Sequence, residues 1–327
     1  MPKIYVSLPP NDPNLLPEDR KRLRTFADVV EHMSDQRPTD EEKLDACRDS
    51  DAAIMGRGGG GLTHEIIGAA EGLKVVGVVG GGVKMVEPEA LLDRGILLIN
   101  TGWAMSNAVA EFTVAMMLCG LRDIPHMVDV LKSEGWGRAR DPRDLTGRSV
   151  GMIGLGMIAR RVAELLRPYQ NELRIYDPYV SDDEIIASGG HPNGLQDVLR
   201  HSKVLSLHAG WTPETEGMLG AEELALMPDG ALLVNTARAA VVDEVALLAE
   251  LRSGRLRAAL NVFWKEPLAE DHPLRDLDNV ILTPHGGGYT DDTLRRHSRS
   301  IVDDLERYFK GQMPENVVTH EMLGRMT

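Results

Sequence analysis

The stretch Ser149-Val-Gly-Met-Ile-Gly-Leu-Gly-Met-Ile-Ala159 decides how the rest of the chain reads. An apolar strand pattern, Ser149 to Ile153, runs into Gly154 and Gly156, and a helical pattern follows over Ile158 to Leu166. Each small residue of such a turn has a mechanical reason. The first glycine permits the tight turn, the second lets a diphosphate approach bare backbone, and Ala159 lets the helix pack on the strand. The helix N-terminus at Met157 and Ile158 then presents N–H groups to the diphosphate. The next predicted strand, Leu173 to Tyr176, ends at Asp177-Pro178, and Asp177 stands 21 residues beyond Gly156. A carboxylate there accepts ribose hydroxyls and repels a 2'-phosphate, which points to NAD. Arg174, inside that strand, keeps NADP open as the lesser alternative.

Working outward, short apolar runs alternate with helical ones on both sides of this turn, the rhythm of parallel sheets covered by helices. Before it, strands are predicted at Lys3 to Leu8, Ala52 to Met55, Leu73 to Val79 and Ile96 to Ile99. Helices are predicted at Leu16 to His32, Thr63 to Ala70, Pro88 to Asp93 and Asn107 to Arg122. The last is apolar enough to be sandwiched between layers. After the turn, strands are predicted at Val204 to Leu207, Ala231 to Asn235, Ala258 to Asn261 and Val280 to Leu282. Helices are predicted at Gly220 to Leu226, Glu244 to Ser253 and Asp292 to Phe309, followed by a loose tail.

Bulk properties bound the function. The chain of 327 residues has room for two domains, and 43% hydrophobic with 26% charged residues is ordinary globular composition. A formal net charge of -14 argues against binding a nucleic-acid backbone, though a local cationic cleft can still hold a small anion. Cys47 and Cys119 make neither a disulfide framework nor a metal site, so no metal is expected. The N-terminus, broken by Pro9 and Pro10, does not read as a signal peptide, and no run appears long enough in apolar residues to span a membrane. The expected location is therefore the cytoplasm.

Three residues just past predicted strand ends are suited to acid–base chemistry: Arg238 after LLVNTA, Glu266 in WKEP, and His285 after VILTP. Ligands of open α/β sheets lie at such ends. His285 suits proton exchange near neutral pH, Glu266 could fix its tautomer, and Arg238 offers a fork matching a carboxylate. Taken singly, each is as readily an ordinary turn or surface residue.

Together with LKVVGVVGGG, SNAVAEFTVAMML, LTGRSVGMIGLGMIARRVA, LLVNTARAAVVDE, NVFWKEPL and LTPHGGG, these residues make the chain resemble the D-isomer-specific 2-hydroxyacid dehydrogenases. The resemblance implies two Rossmann-like or flavodoxin-like α/β domains with parallel sheets and an active site in the cleft between them. The substrate domain would comprise residues 1–104 with a return segment 290–327, and the NAD-binding domain residues 105–289. It implies Arg238, Glu266 and His285 as the catalytic set. Cofactor contacts would extend over Gly154, Gly156, Met157, Ile158, Asp177, Pro178, His208, Ala209, Thr236, Ala237, Asn261 and Gly287. The substrate carboxylate would be held around Arg57, Gly58, Gly59 and the Gly80, Gly81, Gly82 turn, where bare backbone can approach an anion. A homodimer through an arm near residues 120–145, with Trp136 as anchor, is implied as well. The implied activity interconverts a 2-oxo acid and its D-2-hydroxy acid. An NAD(H)-sensing regulator of corepressor type, or a dehydrogenase of formate or phosphite type, stands as the alternative. Departures from the family pattern are Lys84 after Gly82-Val83, Asn261 where an aspartate is usual, and Gly286-Gly287-Gly288-Tyr289 after the histidine; Trp211 and Trp264 have no assigned role.

Overall fold

A computed structural model describes residues 1–324. The chain divides into two compact units, one formed by Met1–Met105 with Tyr289–Thr327 and the other by Ser106–Gly288. Both are α/β.

The first unit carries strands β1 (Lys3–Val6), β2 (Asp28–Glu31), β3 (Ala52–Gly56), β4 (Val75–Val79) and β5 (Leu97–Asn100). The second carries β6 (Ser149–Ile153), β7 (Glu172–Tyr176), β8 (His191–Pro192), β9 (Val204–Leu207), β10 (Leu232–Asn235), β11 (Arg257–Leu260) and β12 (Val280–Leu282). A final strand, β13 (Val317–Val318), returns to the first unit. The first sheet has the order β13-β5-β4-β3-β1-β2 and is parallel except for antiparallel β13 at its edge. The second is wholly parallel, in the order β12-β11-β10-β9-β6-β7-β8.

Strands such as Val75-Val-Gly-Val-Val79 lack hydrophobic–polar alternation because both faces are covered. Val75 and Val79 enter one core with Ile4, Ile54 and Ile301, while Val76 and Val78 enter the opposite core with Ile66 and Leu91. In the second unit Leu232 and Val234 face one core and Leu233 the other. Helix starts carry their own signals. Thr39 and Glu42 form a capping box before the helix Asp40–Arg48, as Ser181 and Glu184 do before Asp182–Ala187.

Four expectations need correction. The helix predicted over Leu16 to His32 is the shorter Pro17–Phe26, because Ala27 turns extended and the β-branched pair in Asp28-Val-Val-Glu31 forms β2 against β1. The loose tail is in fact ordered by β13, which pairs Val317 with Ile99 and Val318 with Leu98. The helix Ser106–Arg122 covers the second sheet beside the helix Met157–Leu166. It leaves Asn107, Glu111 and Ala115 exposed, so it is an amphipathic covering helix and not one sandwiched between layers. Finally, Gly102–Arg122 is long and apolar enough by length and composition to cross a membrane, contrary to the expectation that no run is; 56% of that window is buried inside the protein.

The first unit is closed by the helix Asp291–Phe309, which packs on β4. It approaches so closely at Gly77 that an added Cβ would stand 3.0 Å from Ile301 Cγ1, and Ile301 is fully buried. Gly77→Ala is therefore expected to destabilise the protein by about 1–3 kcal/mol through overpacking. Urea unfolding reads this directly, and an unchanged midpoint would show that the helix stands off the sheet.

Candidate active site

In the second unit the chemistry-bearing residues all follow strand ends. Gly154 succeeds β6 with φ +92°, and its N–H donates to Tyr176 O at 2.8 Å. A Cβ on Gly154 would meet Ala209 N at 2.8 Å and His208 C at 2.9 Å, so only glycine lets the β6 and β9 loops pass this closely. Gly156 is the N-cap of Met157–Leu166, has no side-chain cap, and has open space where its Cβ would be. An uncapped helix start facing open space behind a glycine is a fit for a diphosphate. Asp177 is tied to this turn: its Oδ2 accepts from Leu155 N–H at 2.7 Å and its Oδ1 from Tyr179 N–H at 2.8 Å. A carboxylate has about four acceptor sites, so ribose hydroxyls can still be received. Pro178 and Met157 are exposed beside it, and Ile158 is half-buried. His208, after β9, bonds Ser206 Oγ through Nε2 at 2.9 Å, and burial pushes its pKa down to about 4, so it stands neutral.

After β10, Asn235 shapes the turn: its Oδ1 accepts from Ala237 N–H at 3.0 Å and its Nδ2 donates to Arg238 O at 3.0 Å. Thr236 shares a 2.7 Å hydrogen bond with Thr113. Arg238 donates from Nη1 to Ala237 O at 2.8 Å. Desolvation lowers its pKa, opposed by the charge of Glu266, so the guanidinium is a poorly hydrated cation whose Nε and Nη2 have no partner among the described residues.

After β11 and β12 the acid–base pair assembles. His285 Nδ1 lies 2.8 and 2.9 Å from the two Glu266 oxygens, and Phe263 N–H donates to Glu266 Oε1 at 3.2 Å. A carboxylate partner places the proton on Nδ1 and leaves Nε2 as the exchanging nitrogen. His285 sits at φ +48°, a left-handed conformation rare for a side-chain-bearing residue. Asn261, buried, holds this turn through its Oδ1, which accepts from Thr283 Oγ1 at 3.1 Å and Gly286 N–H at 3.0 Å. Gly287 packs beside Asn261 Nδ2 and the Phe112 ring. Trp264 donates to Val242 O at 2.8 Å, Trp211 donates to Glu216 at 3.2 Å, and Tyr289 is exposed on the first unit.

In the first unit, the turn after β3 holds exposed Arg57 and the Gly58–Gly61 run. Gly59 N–H is spent on Gly56 O at 2.9 Å, whereas Gly58 N–H has no acceptor among the described residues. The turn after β4 is clamped from both sides: Gly80 N–H donates to Thr101 Oγ1 at 3.3 Å, and Asn100 Nδ2 donates to Gly80 O at 2.9 Å. Gly81 and Gly82 are half-buried, and Gly81 faces Met105 Sδ. Lys84, itself exposed, begins the single turn Lys84–Val86, whose Val86 is buried. Thr101 is backed by His297, whose Nδ1 lies 2.7 Å from Thr101 Oγ1. Sequence reading missed Asn235, Asn100, Thr101 and His297. The signal for the first three was present: both strands end in Asn-Thr, at 100–101 and 235–236, and asparagine at a strand end commonly makes such turns.

The chain is similar to proteins already known. A family model described as D-isomer specific 2-hydroxyacid dehydrogenase, NAD binding domain, matches residues 114–287. The D-3-phosphoglycerate dehydrogenase of Methanocaldococcus jannaschii is 35% identical over 296 residues, covering 88% of this chain and 56% of its own length. The chain thus spans a little over half of that relative. The glyoxylate reductase of Thermofilum pendens is 33% identical over 334 residues, covering 98% of this chain and 96% of its own. Among solved structures, a glyoxylate reductase from Paecilomyes thermophila matches with a TM-score of 0.87 at 25% identity, covering 98% of this chain and 99% of that one. The matched domain is described as NAD-binding, and the glycine turn and uncapped helix described above leave open space that fits a diphosphate.

His297 makes a pH prediction. Burial is the main cause that pushes its pKa from 6.5 to about 4; a hydrogen bond with the Thr101 backbone opposes it, and Arg296 adds a smaller push. Above about pH 6.5 it is neutral folded or unfolded, and its stabilisation is complete. As pH falls from there towards 4 the unfolded chain takes a proton that the folded one refuses, so stability drops by on the order of 3 kcal/mol, with no further loss below. His297→Asn, which keeps an acceptor near Thr101, should flatten that part of the stability–pH curve in denaturant titrations. An unaltered slope would refute the assignment.

Proposed function

The chain belongs to the D-isomer specific 2-hydroxyacid dehydrogenases, and we propose that it uses NAD to interconvert a small 2-oxo acid and its D-2-hydroxy acid. The observation that carries this reading is the His285–Glu266 pair, at 2.8 Å, beside desolvated Arg238 at the carboxyl edge of the second sheet. A nicotinamide dinucleotide held at the Gly154–Gly156 turn and Asp177 would supply or take up the hydride at substrate C2. In the reducing direction His285 Nε2 gives its proton to the carbonyl oxygen as the alcohol forms, and in oxidation it takes that proton back. Glu266 holds the ring through Nδ1 and compensates the imidazolium charge while it exists. Arg238 polarises the carbonyl and shares the carboxylate. The carboxylate's other partners are the backbone N–H groups of Gly58, Gly81 and Gly82, with Arg57 supplying positive potential. Asp177 favours NAD because a 2'-phosphate would have to sit against its charge.

Purified protein mixed with NADH and a panel of 2-oxo acids (glyoxylate, hydroxypyruvate, pyruvate, bulkier and phosphorylated analogues) should oxidise NADH. His285→Ala should lower kcat by at least ~10²-fold with little change in NADH affinity. NADPH should serve at least ~tenfold less well, given one opposed charge at the ribose. NADH binding without turnover of any acid would overturn the enzymatic reading in favour of a dinucleotide-sensing regulator. Turnover of formate or phosphite alone would replace the substrate class.

We further propose a homodimer through the second unit. Its helix Ile124–Ser133 has no buried residue, Ile124, Val128 and Leu131 share one exposed apolar face, and Trp136 beyond it is 94% exposed. That stripe is what an isologous interface would cover. Sedimentation should give a dimer, and Trp136→Glu with Val128→Glu should give monomers. A wild-type monomer at micromolar concentration would refute it.

A further inference from the structure

Beneath the turn that follows β3 lies a charge for which apolar packing gives no reason. Lys43 stands on the helix Asp40–Arg48 one turn before Cys47; the two are 5% and 0% exposed, so Lys43 occupies a core-facing position where an aliphatic side chain would pack without cost. Burying an ammonium is unfavourable unless hydrogen bonds and an opposite charge compensate it. Both are present: Lys43 Nζ donates to Gly61 O at 2.7 Å and pairs with Asp40 Oδ1 at 2.7 Å, although Asp40 itself is largely exposed. Nζ also lies 3.6 Å from where a Cβ of Gly60 would stand, directly under the glycine run.

The run is confined on its other sides. A Cβ on Gly59 would collide with Ser7, and one on Gly61 with the Met85 carbonyl. Gly59 N–H is already spent on Gly56 O, leaving Gly58 N–H as a donor without an acceptor among the described residues. A turn so held has one buried cation in its floor and, at its head, the Gly58 N–H, with the Asp12 carboxylate standing where a Gly58 Cβ would be.

We propose that Lys43 is a positioning residue for the anion-holding turn. Its ammonium fastens the Gly61 carbonyl from below and adds positive potential to the turn whose Gly58 N–H receives the substrate carboxylate. The inference rests on the function proposed above, in which that turn holds the carboxylate. Since every 2-oxo acid carries this group, the effect falls on KM for all of them and not on hydride transfer or dinucleotide binding.

The test compares Lys43→Met, Lys43→Arg and Asp40→Asn by steady-state kinetics on each 2-oxo acid turned over, with NADH Kd from fluorescence quenching. Lys43→Met should raise KM about tenfold across the panel, with kcat held within about twofold and NADH Kd unchanged. Lys43→Arg should recover most of that loss, and Asp40→Asn, which removes the counter-charge, should lower KM about two- to threefold. A folded Lys43→Met with wild-type KM, or a loss confined to kcat or NADH affinity, overturns the proposal. Should Lys43→Met fail to fold, Asp40→Asn decides, and an unmoved or raised KM overturns it. Wild-type protein that binds NADH yet turns over no 2-oxo acid removes the parent reading and this one together. Turnover with KM flat across the three variants removes this one alone.

Discussion

Seven strands running in one direction place all seven carboxyl ends along a single edge of the second sheet, and the candidate site depends on that constraint. Between β6 and β9 the strand order reverses: the chain leaves β6 towards β7 and β8, then comes back to β9 on the other flank. Loops diverge at such a point and leave a crevice. Gly154 is where they pass most tightly, and its lack of a side chain keeps the β6 and β9 loops in register. Asp177, His208, Arg238, Asn261 and His285 need no special device to come near one another along that edge. Each is simply the next residue, or nearly so, after a parallel strand.

Electrostatics on this edge are sorted by what each group can tolerate. The group that is desolvated, Arg238, is the one that cannot give up its proton. His208 is kept neutral by burial, while His285 is left half-exposed and paired with a carboxylate. A chain with a formal charge of -14 can thus still present cations locally to a small acid. The first unit follows a similar logic with Lys43, a buried positive charge whose compensating carboxylate remains in water.

Much of this was legible in the sequence because the motifs encode backbone requirements. Gly154 and Gly156 announced the turn, and LTPHGGG and WKEP announced residues that the structure brings within hydrogen-bonding distance. What escaped was set by tertiary context. Asp28-Val-Val-Glu31 reads as a continuation of a helix until β1 offers an edge to pair with, and Val317-Val318 is too short to be noticed without β5 beside it. Asn100 and Asn235 were hidden for another reason: their role lies in side-chain bonds to their own turns, which no periodicity reveals. Lys43 and His297 sit at helix positions that a hydrophobic count treats as lapses, and only the partners Gly61 and Thr101 give them meaning.

The interrupted first unit has a consequence for biosynthesis. Its sheet needs the helix Asp291–Phe309 to cover β4 and β13 to cap β5, and both follow the whole of the second unit in the chain. A ribosome working from the N-terminus therefore delivers the second unit as a contiguous piece able to collapse while the first still exposes Val75, Val79 and Ile99. Domains tend to fold as units during synthesis, and apolar strands left uncovered invite association with other chains. For this protein the exposed interval lasts as long as it takes to translate some two hundred residues, at about 5–20 residues per second on the order of ten seconds or more. Chaperone dependence should accordingly concentrate on the first unit, whose two segments are translated on either side of the second.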